Sequence, residues 1–328
     1  MKFRCIIIFL LFFGAEVYAQ TTADLDRLEL KGPVNRVVEE FYNNYEKEGK
    51  DWEEEPDRTR ETTFNRSGLY LSQSGTRKGK PQGKLTFEYD NNSRLLAKSQ
   101  IDENEKLVRK NTFRFDSDGN MVEEVEFDKN SKVKKRTTYY YDDSGRVIRE
   151  VRGGGDGSTW FTFEHIYDEK GNMVEEISKT AEGKVDWKTV FIYNERNQEI
   201  ENQHFDASGK MVDQWKNEID QNGNILKKQH IDPKGTVYEE MHYSYNGENR
   251  LTLELRNPTD DGFQNRKNFT YDEQGNVIKE TFESGDGKYS DLMTYEFEYD
   301  EMGNWIQKKF FRNSEEVELV KRTIQYFE

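Results

Sequence analysis

An aromatic residue or isoleucine followed by Asp or Asn recurs along this chain in register: Tyr89-Asp90, Phe115-Asp116, Tyr141-Asp142, Tyr167-Asp168, Tyr193-Asn194, Ile219-Asp220, Tyr245-Asn246, Tyr271-Asp272 and Tyr299-Asp300. The first seven steps are 26 residues each and the last is 28. Four residues after each anchor stand Ser93, Gly119, Gly145, Gly171, Asn197, Gly223, Asn249, Gly275 and Gly303, followed by apolar pairs such as Val147-Ile148 and Val277-Ile278. A register this long leaves a tandem array as the architecture, each unit leaning on its neighbours.

The spacing also says what the unit is. Asp opens a turn by accepting from backbone amides ahead of it, and the position three residues later wants a positive φ, which Gly takes freely and Asn tolerates. Ser93 fits this least well. Such a turn joins antiparallel strands with a glycine bulge. A weaker copy of the turn sits in mid-repeat, as in Asp128 to Lys132, Asp206 to Lys210 and Asp232 to Gly235. One repeat is therefore two strands and two turns. Alternation by twos back from the anchors (Phe113 and Phe115, Tyr139 and Tyr141, Phe191 and Tyr193) predicts half-buried strands. The same ladder is expected to continue through Leu107, Val133, Val185, Met211, Val237, Phe263, Tyr289 and Val317. Glu124, Glu150, Glu176, Lys228, Glu254, Glu280 and Lys308 are expected on the opposite, solvated face. The fold class expected is all-β, an elongated, twisted or coiled antiparallel meander of about eighteen or more strands, on the order of 90 Å long at ~4.8 Å per strand.

Composition agrees with a thin sheet. Apolar residues make up 33% of the 328 and charged residues 34%, and the mean hydropathy is −1.07, too polar for thick cores. The 18 Tyr and 21 Phe argue against disorder. At the N-terminus, Lys2 and Arg4, the apolar run from Ile6 to Phe13 and Val17-Tyr18-Ala19 read as a signal peptide over residues 1–19. Cys5 lies before the apolar run, where it is misplaced for lipidation, and the mature chain is expected to hold no cysteine and no transmembrane segment. Residues 20–88 read as an N-terminal β cap with an acidic insertion from Tyr45 to Arg60, and 89–328 as the repeat array. Phe64 to Leu69 looks like one more degenerate anchor. Losing Lys2, Arg4 and Glu16 takes the net charge from −15 to −16, which disfavours nucleic acid and anionic lipid as partners.

Tyr141-Asp142-Asp143-Ser144-Gly145-Arg146, Tyr167-Asp168-Glu169-Lys170-Gly171-Asn172 and Tyr271-Asp272-Glu273-Gln274-Gly275-Asn276 resemble the YD repeat of Rhs-type proteins. The likeness covers about residues 64 to 328. Its close, Gly303-Asn304-Trp305 with Arg322 to Tyr326, resembles the ends of secreted YD-repeat proteins from Bacteroidota. The resemblance implies a β-shell in large members that encloses a toxic C-terminal domain. This chain has too few repeats for a large closed shell and stops at the end of the array, so toxin delivery is not expected of it. Its period also departs from the shorter one common in that family.

Candidate chemistry is sparse. His204 and His230 hold the same place in successive repeats, two strands or ~10 Å apart, too far for one metal ion. His165 replaces a ladder aromatic, and His242 falls on the other face. Asp116 to Asn120 and Gly153 to Gly157 offer oxygen ligands for calcium, but turn chemistry accounts for both, and neither keeps the twelve-residue loop with its closing Glu. Carboxylates that repeat on every strand read as spacers rather than as a glycosidase pair, and no catalytic motif appears. Of the tryptophans, Trp187, Trp215 and Trp305 share ladder positions and read as packing; Trp52 lies in the insertion. Trp160, beside the irregular Gly153 to Gly157 turn, is the expected partner contact, and Gly119, Gly145, Gly171, Gly223, Gly275 and Gly303 are the structural turn glycines.

The expectation is an exported, non-catalytic repeat scaffold without cofactor or metal, in the periplasm, on the cell surface or outside the cell, binding a protein or polysaccharide partner. A carbohydrate-processing enzyme and a toxin-neutralising, immunity-like protein are the alternatives.

Overall fold

The computed structural model describes residues 24–43, 55–258 and 264–328. The signal segment, Trp52 with most of the acidic insertion, and Phe263 lie outside these residues.

After a single helical turn, α1 (Asp24–Arg27), the described chain is strand and turn. The first four strands are β1 (Val34–Asn43), β2 (Arg58–Phe64), β3 (Tyr70–Arg77) and β4 (Lys80–Tyr89). Next come β5 (Leu95–Ile101), β6 (Leu107–Phe115), β7 (Met121–Asp128), β8 (Val133–Tyr141), β9 (Val147–Gly154) and β10 (Thr159–Tyr167). The middle repeats give β11 (Met173–Thr180), β12 (Val185–Tyr193), β13 (Glu199–Asp206), β14 (Met211–Ile219), β15 (Ile225–Ile231) and β16 (Val237–Tyr245). The last are β17 (Leu251–Pro258), β18 (Asn265–Tyr271), β19 (Val277–Glu283), β20 (Ser290–Tyr299), β21 (Trp305–Arg312) and β22 (Glu315–Tyr326). Every strand pairs antiparallel with its neighbours in sequence, so the predicted meander of hairpins is what forms. β22 then pairs with β1, matching Val37 to Ile324, Glu39 to Arg322 and Phe41 to Val320. The 22 strands therefore close into a barrel, which leaves no unpaired edge among the described strands for another chain to extend. That closure is what the array forms in place of a large shell. Substantial contacts run between sheet neighbours, as a single-layer wall requires.

The turns follow the sequence chemistry. In the turn after Tyr141, the Asp142 and Arg146 backbones bond at 2.9 Å, Gly145 N donates to Asp142 O at 3.0 Å, and Asp142 Oδ1 accepts from Ser144 N and Arg146 N. Asn65 to Leu69 makes the same turn. Ser93, the poor fit, adopts φ +64° all the same. Gly154 stands in the Asp place of the β9–β10 turn, which keeps the same backbone bonds. The Asp-x-x-Gly turns after the anchors and the mid-repeat turns alternate along the meander, so each set lines its own rim of the barrel.

Two face assignments from the sequence are corrected. Glu124 lies opposite Phe113, Glu150 opposite Tyr139, Glu176 opposite His165, Lys228 opposite Met241, Glu254 opposite Tyr243, Glu280 opposite Phe269 and Lys308 opposite Phe297. These charges share the face of the anchor aromatics. Conversely Leu107, Val133, Val185, Met211 and Val237 pair with Ile101, Phe127, Lys179, Phe205 and Ile231, on the opposite face. The cause is a bulge beside each turn: Tyr141 pairs with Val147 but Tyr140 with Arg149, leaving Ile148 extra. An extra residue reverses the in-out parity of everything beyond it.

A buried apolar cluster sits at the seam. Leu30, Val34, Val37 and Phe64 are buried there, covered by Leu25, Leu28, Tyr70, Ile324 and Tyr326. Arg322 Nε lies 3.1 Å from Glu39 Oε1, with both side chains nearly sealed from solvent, and Arg60 bonds the second Glu39 oxygen. The Arg322 guanidinium stacks 3.3 Å from the centre of the Trp305 ring. Asn304 accepts from Lys31 N at 2.6 Å and donates to Lys31 O and to Tyr326 Oη. The C-terminal motif thus closes the barrel.

Candidate functional site

The anchor face at the mid-repeat rim gathers Trp160, Trp187, Trp215, His204 and His230, whereas the turn glycines Gly119, Gly145, Gly171, Gly223, Gly275 and Gly303 stand at the other rim, each at positive φ. Trp160 is the extra residue of the β9–β10 bulge, between Thr159 opposite Gly153 and Phe161 opposite Arg152. Its ring lies over Gly154, where an added Cβ would come within 3.4 Å of it. The bulge turns Trp160 and Phe161 to one face, and each remains 42% exposed. Phe163 lies 6.1 Å from Trp187 in the same area, and Arg152 stacks 4.4 Å over Phe163.

A second cluster stands on the same rim. Trp215 stacks on His230 at 4.4 Å and 4°, and Tyr238, the equivalent bulge residue, lies 5.4 Å from His230 and is 49% exposed. His204 and His230 stand two strands apart, as the spacing requires, and Asp213 on the strand between them approaches both: His204 Nδ1 is 2.8 Å from Asp213 Oδ1 and His230 Nε2 is 3.3 Å from Asp213 Oδ2. Sequence spacing gave the strand separation correctly but not the carboxylate that fills it. Among the described residues no three His, Cys, Asp or Glu side chains are grouped to hold a metal ion. His242 pairs with Lys227, off the anchor face, and bonds Glu240 at 2.6 Å.

Phe282 and Tyr289 form a third cluster, 5.8 Å apart, where Tyr289 is 49% exposed and its hydroxyl meets Arg312 at 2.8 Å and Asp291 at 3.1 Å. Sequence reasoning passed over Phe161 and Tyr238, because the bulges beside them cannot be read from alternation, and it placed Tyr289 in the packing ladder rather than at an exposed rim. Trp187, Trp215 and Trp305 pack against ring or guanidinium partners.

Deeper on the anchor face, His165 is 6% exposed and neither ring nitrogen has a hydrogen-bond partner. Burial holds its imidazole below the ordinary range, against the pull of Glu150. Glu176, opposite His165, is pushed up by burial and then by Glu150, which pairs with Arg152. This is the kind of perturbed acid an enzyme would use. Glu150, His165 and Ser178 are nonetheless buried, and a sugar needs an opening to reach them.

No known family and no curated protein matches this chain. Among solved structures, the Photorhabdus luminescens Tc holotoxin pore is similar over 77% of this chain at 13% identity with a TM-score of 0.44. This chain spans 17% of the length of that one. A porin-like protein from Bacteroides uniformis aligns over 90% of this chain and 99% of its own at 12% identity and a TM-score of 0.27. One from Bacteroides vulgatus aligns over 90% and 98% at 9% and 0.26. At these scores none of the likenesses carries a functional argument.

Proposed function

We propose that this chain is an exported barrel scaffold of YD-repeat type that binds a macromolecular partner, protein or glycan, at the mid-repeat rim, without catalysis of its own. The observation that carries this reading is Trp160 with Phe161: consecutive large aromatics, turned to one face by a bulge and each left 42% exposed. Exposed flat rings on a rigid frame are what binding surfaces use as anchors. Charge placement supports a barrel wetted on both sides. Lys179–Glu164 and Lys188–Glu175 pair on one face and Arg152–Glu150 and Arg322–Glu39 on the other. A lipid-spanning barrel instead presents an apolar band ~25 Å tall. Among the described residues no helix is long and apolar enough to cross a membrane.

The test is a cross-linked pull-down with tagged residues 20–328 from the native envelope and culture medium, read by mass spectrometry and glycan analysis. Recovery of one stoichiometric partner that is lost with Trp160→Ala/Phe161→Ala is the expected result. Recovery unchanged by the double substitution overturns the rim assignment.

A further inference from the structure

The three exposed aromatic clusters stand on one rim and one face. Trp160 follows the β9–β10 turn, Tyr238 the β15–β16 turn and Tyr289 the β19–β20 turn. At ~4.8 Å per strand, the first two are about 29 Å apart along the wall and the second and third about 19 Å. That is a row of separate platforms, not one patch.

The surroundings of each ring select the partner. The core of a protein interface is contiguous, apolar and depleted of charge. Here charged or hydrogen-bonding groups stand within each cluster: Arg152 and Glu150 at Phe163, two residues along the strand from Phe161, Asp213 and His204 at the Trp215–His230 stack that Tyr238 borders, and Asp291 and Arg312 at the Tyr289 hydroxyl itself. A pyranose has one apolar C–H face for a ring to cover and a rim of hydroxyls for carboxylates and guanidinium groups to bond. A net charge of −16 without residues 1–19, from −15 for the 328, repels an anionic polymer.

We propose that the occupant is a neutral polysaccharide, lying along the mid-repeat rim and stacking on Trp160–Phe161, Tyr238 and Tyr289 in turn. This rests on the rim reading above and narrows it to one chemistry. Platforms tens of ångströms apart act through avidity, so a long chain binds far tighter than a short one, by ~100-fold or more.

Native electrophoresis of the mature protein through gels containing a soluble β-glucan, xylan, mannan or dextran tests it, with alginate as the anionic control. Retardation by at least one neutral polymer, weakened in Trp160→Ala and in Tyr238→Ala and abolished when Tyr289→Ala is added to both, is the expected result. Tetrasaccharides of the same polymer should compete at least 100-fold less well by mass. A variant that melts early is replaced by tryptophan fluorescence of the unsubstituted protein, which should shift on titration with the retarding polymer. No retardation in any neutral gel, or retardation equal in the triple variant and the parent, overturns the proposal. A protein captured from the envelope in a Trp160-dependent manner, with no neutral polymer bound, overturns the sugar while the scaffold reading stands.

Discussion

The Tyr167 hydroxyl donates to the backbone carbonyl of Val147 at 2.8 Å, twenty residues upstream. Tyr141 does the same to Met121, Tyr193 to Met173, Tyr245 to Ile225 and Tyr271 to Leu251. In these five anchors the tyrosine is thus a tie from one repeat to the one before, whereas the Tyr89 hydroxyl has no hydrogen-bond partner among the described residues and Tyr299 donates to Asp272 Oδ2. Phe115 and Ile219 cannot make it, and beside Ile219 the Asn217 amide reaches Glu199 O at 3.4 Å instead. Tyr167→Phe should cost about 1 kcal/mol. Phe115→Tyr, which supplies a donor where Leu95 O is the equivalent acceptor, should raise the melting temperature. Equal melting curves for parent and both variants would sink this reading of the anchor.

At the other end of the motif, Gly171 holds φ +90°. Gly171→Val should lose about 1 kcal/mol or more, since a β-branched residue resists that conformation. Gly171→Asn should lose less, because Asn197 and Asn249 already occupy the equivalent place at φ +61° and +59°. Chemical denaturation of the two variants side by side checks the order.

Turns, strands and meander were legible because each is set by local chemistry that repeats: Asp142 and Gly145 act within six residues of each other. What was not legible depended on counting across a bulge. Ile148 is one residue too many opposite Tyr140, and that alone moves Glu150 onto the aromatic face. Trp160 could be singled out because its turn looked irregular, whereas Tyr238 sits in a regular turn and gave no such signal. Closure joins Glu39 to Arg322, 283 residues apart, and no local pattern reports a partner so distant.

The turn aspartates make stability depend on acid. Asp142 is held below the ordinary carboxylate range by the Arg146 amide and then its side chain, Asp90 by the Arg94 amide and Asp232 by the Thr236 amide. A carboxyl whose folded pKa is lowered contributes stability above its unfolded value, 3.8 here, and loses it as pH falls through the folded one. Asp90→Asn/Asp142→Asn/Asp232→Asn keeps the turn acceptor, as Asn194 and Asn246 do, and removes the titration. The parent should lose more stability between pH 5 and 2 than this variant. An identical loss in both would show that the turns are not the acid-sensitive element.

His165 acts over a higher range. Its folded pKa lies below 6.5 because of burial, so the unfolded chain takes up the proton first and stability falls as pH drops below about 6.5. The equivalent positions in the flanking repeats hold Tyr139 and Phe191. His165→Phe should raise the melting temperature, and by more at pH 5 than at pH 8. The same gain at both values would mean that His165 does not titrate against folding.

The seam is where the barrel is most exposed to a single substitution. Twenty-one of the 22 pairings join strands that follow one another in sequence, and β1 with β22 is the exception. Glu39 is 4% exposed and meets two guanidinium groups, one of them the 6% exposed Arg322. Removing the carboxylate leaves Arg322 buried without its counter-charge, a loss of ~3–5 kcal/mol for pairs of this kind. Glu39→Ala should therefore unfold at markedly lower denaturant than the parent. Arg60→Ala, whose guanidinium is 45% exposed, should cost far less, about 1 kcal/mol or under. A seam that opens presents two free strand edges, so Glu39→Ala should also form concentration-dependent oligomers in light scattering, whereas Arg60→Ala should match the parent. If Glu39→Ala is destabilised but keeps the parent's mass at all concentrations, the ion pair supports the fold without holding the barrel closed.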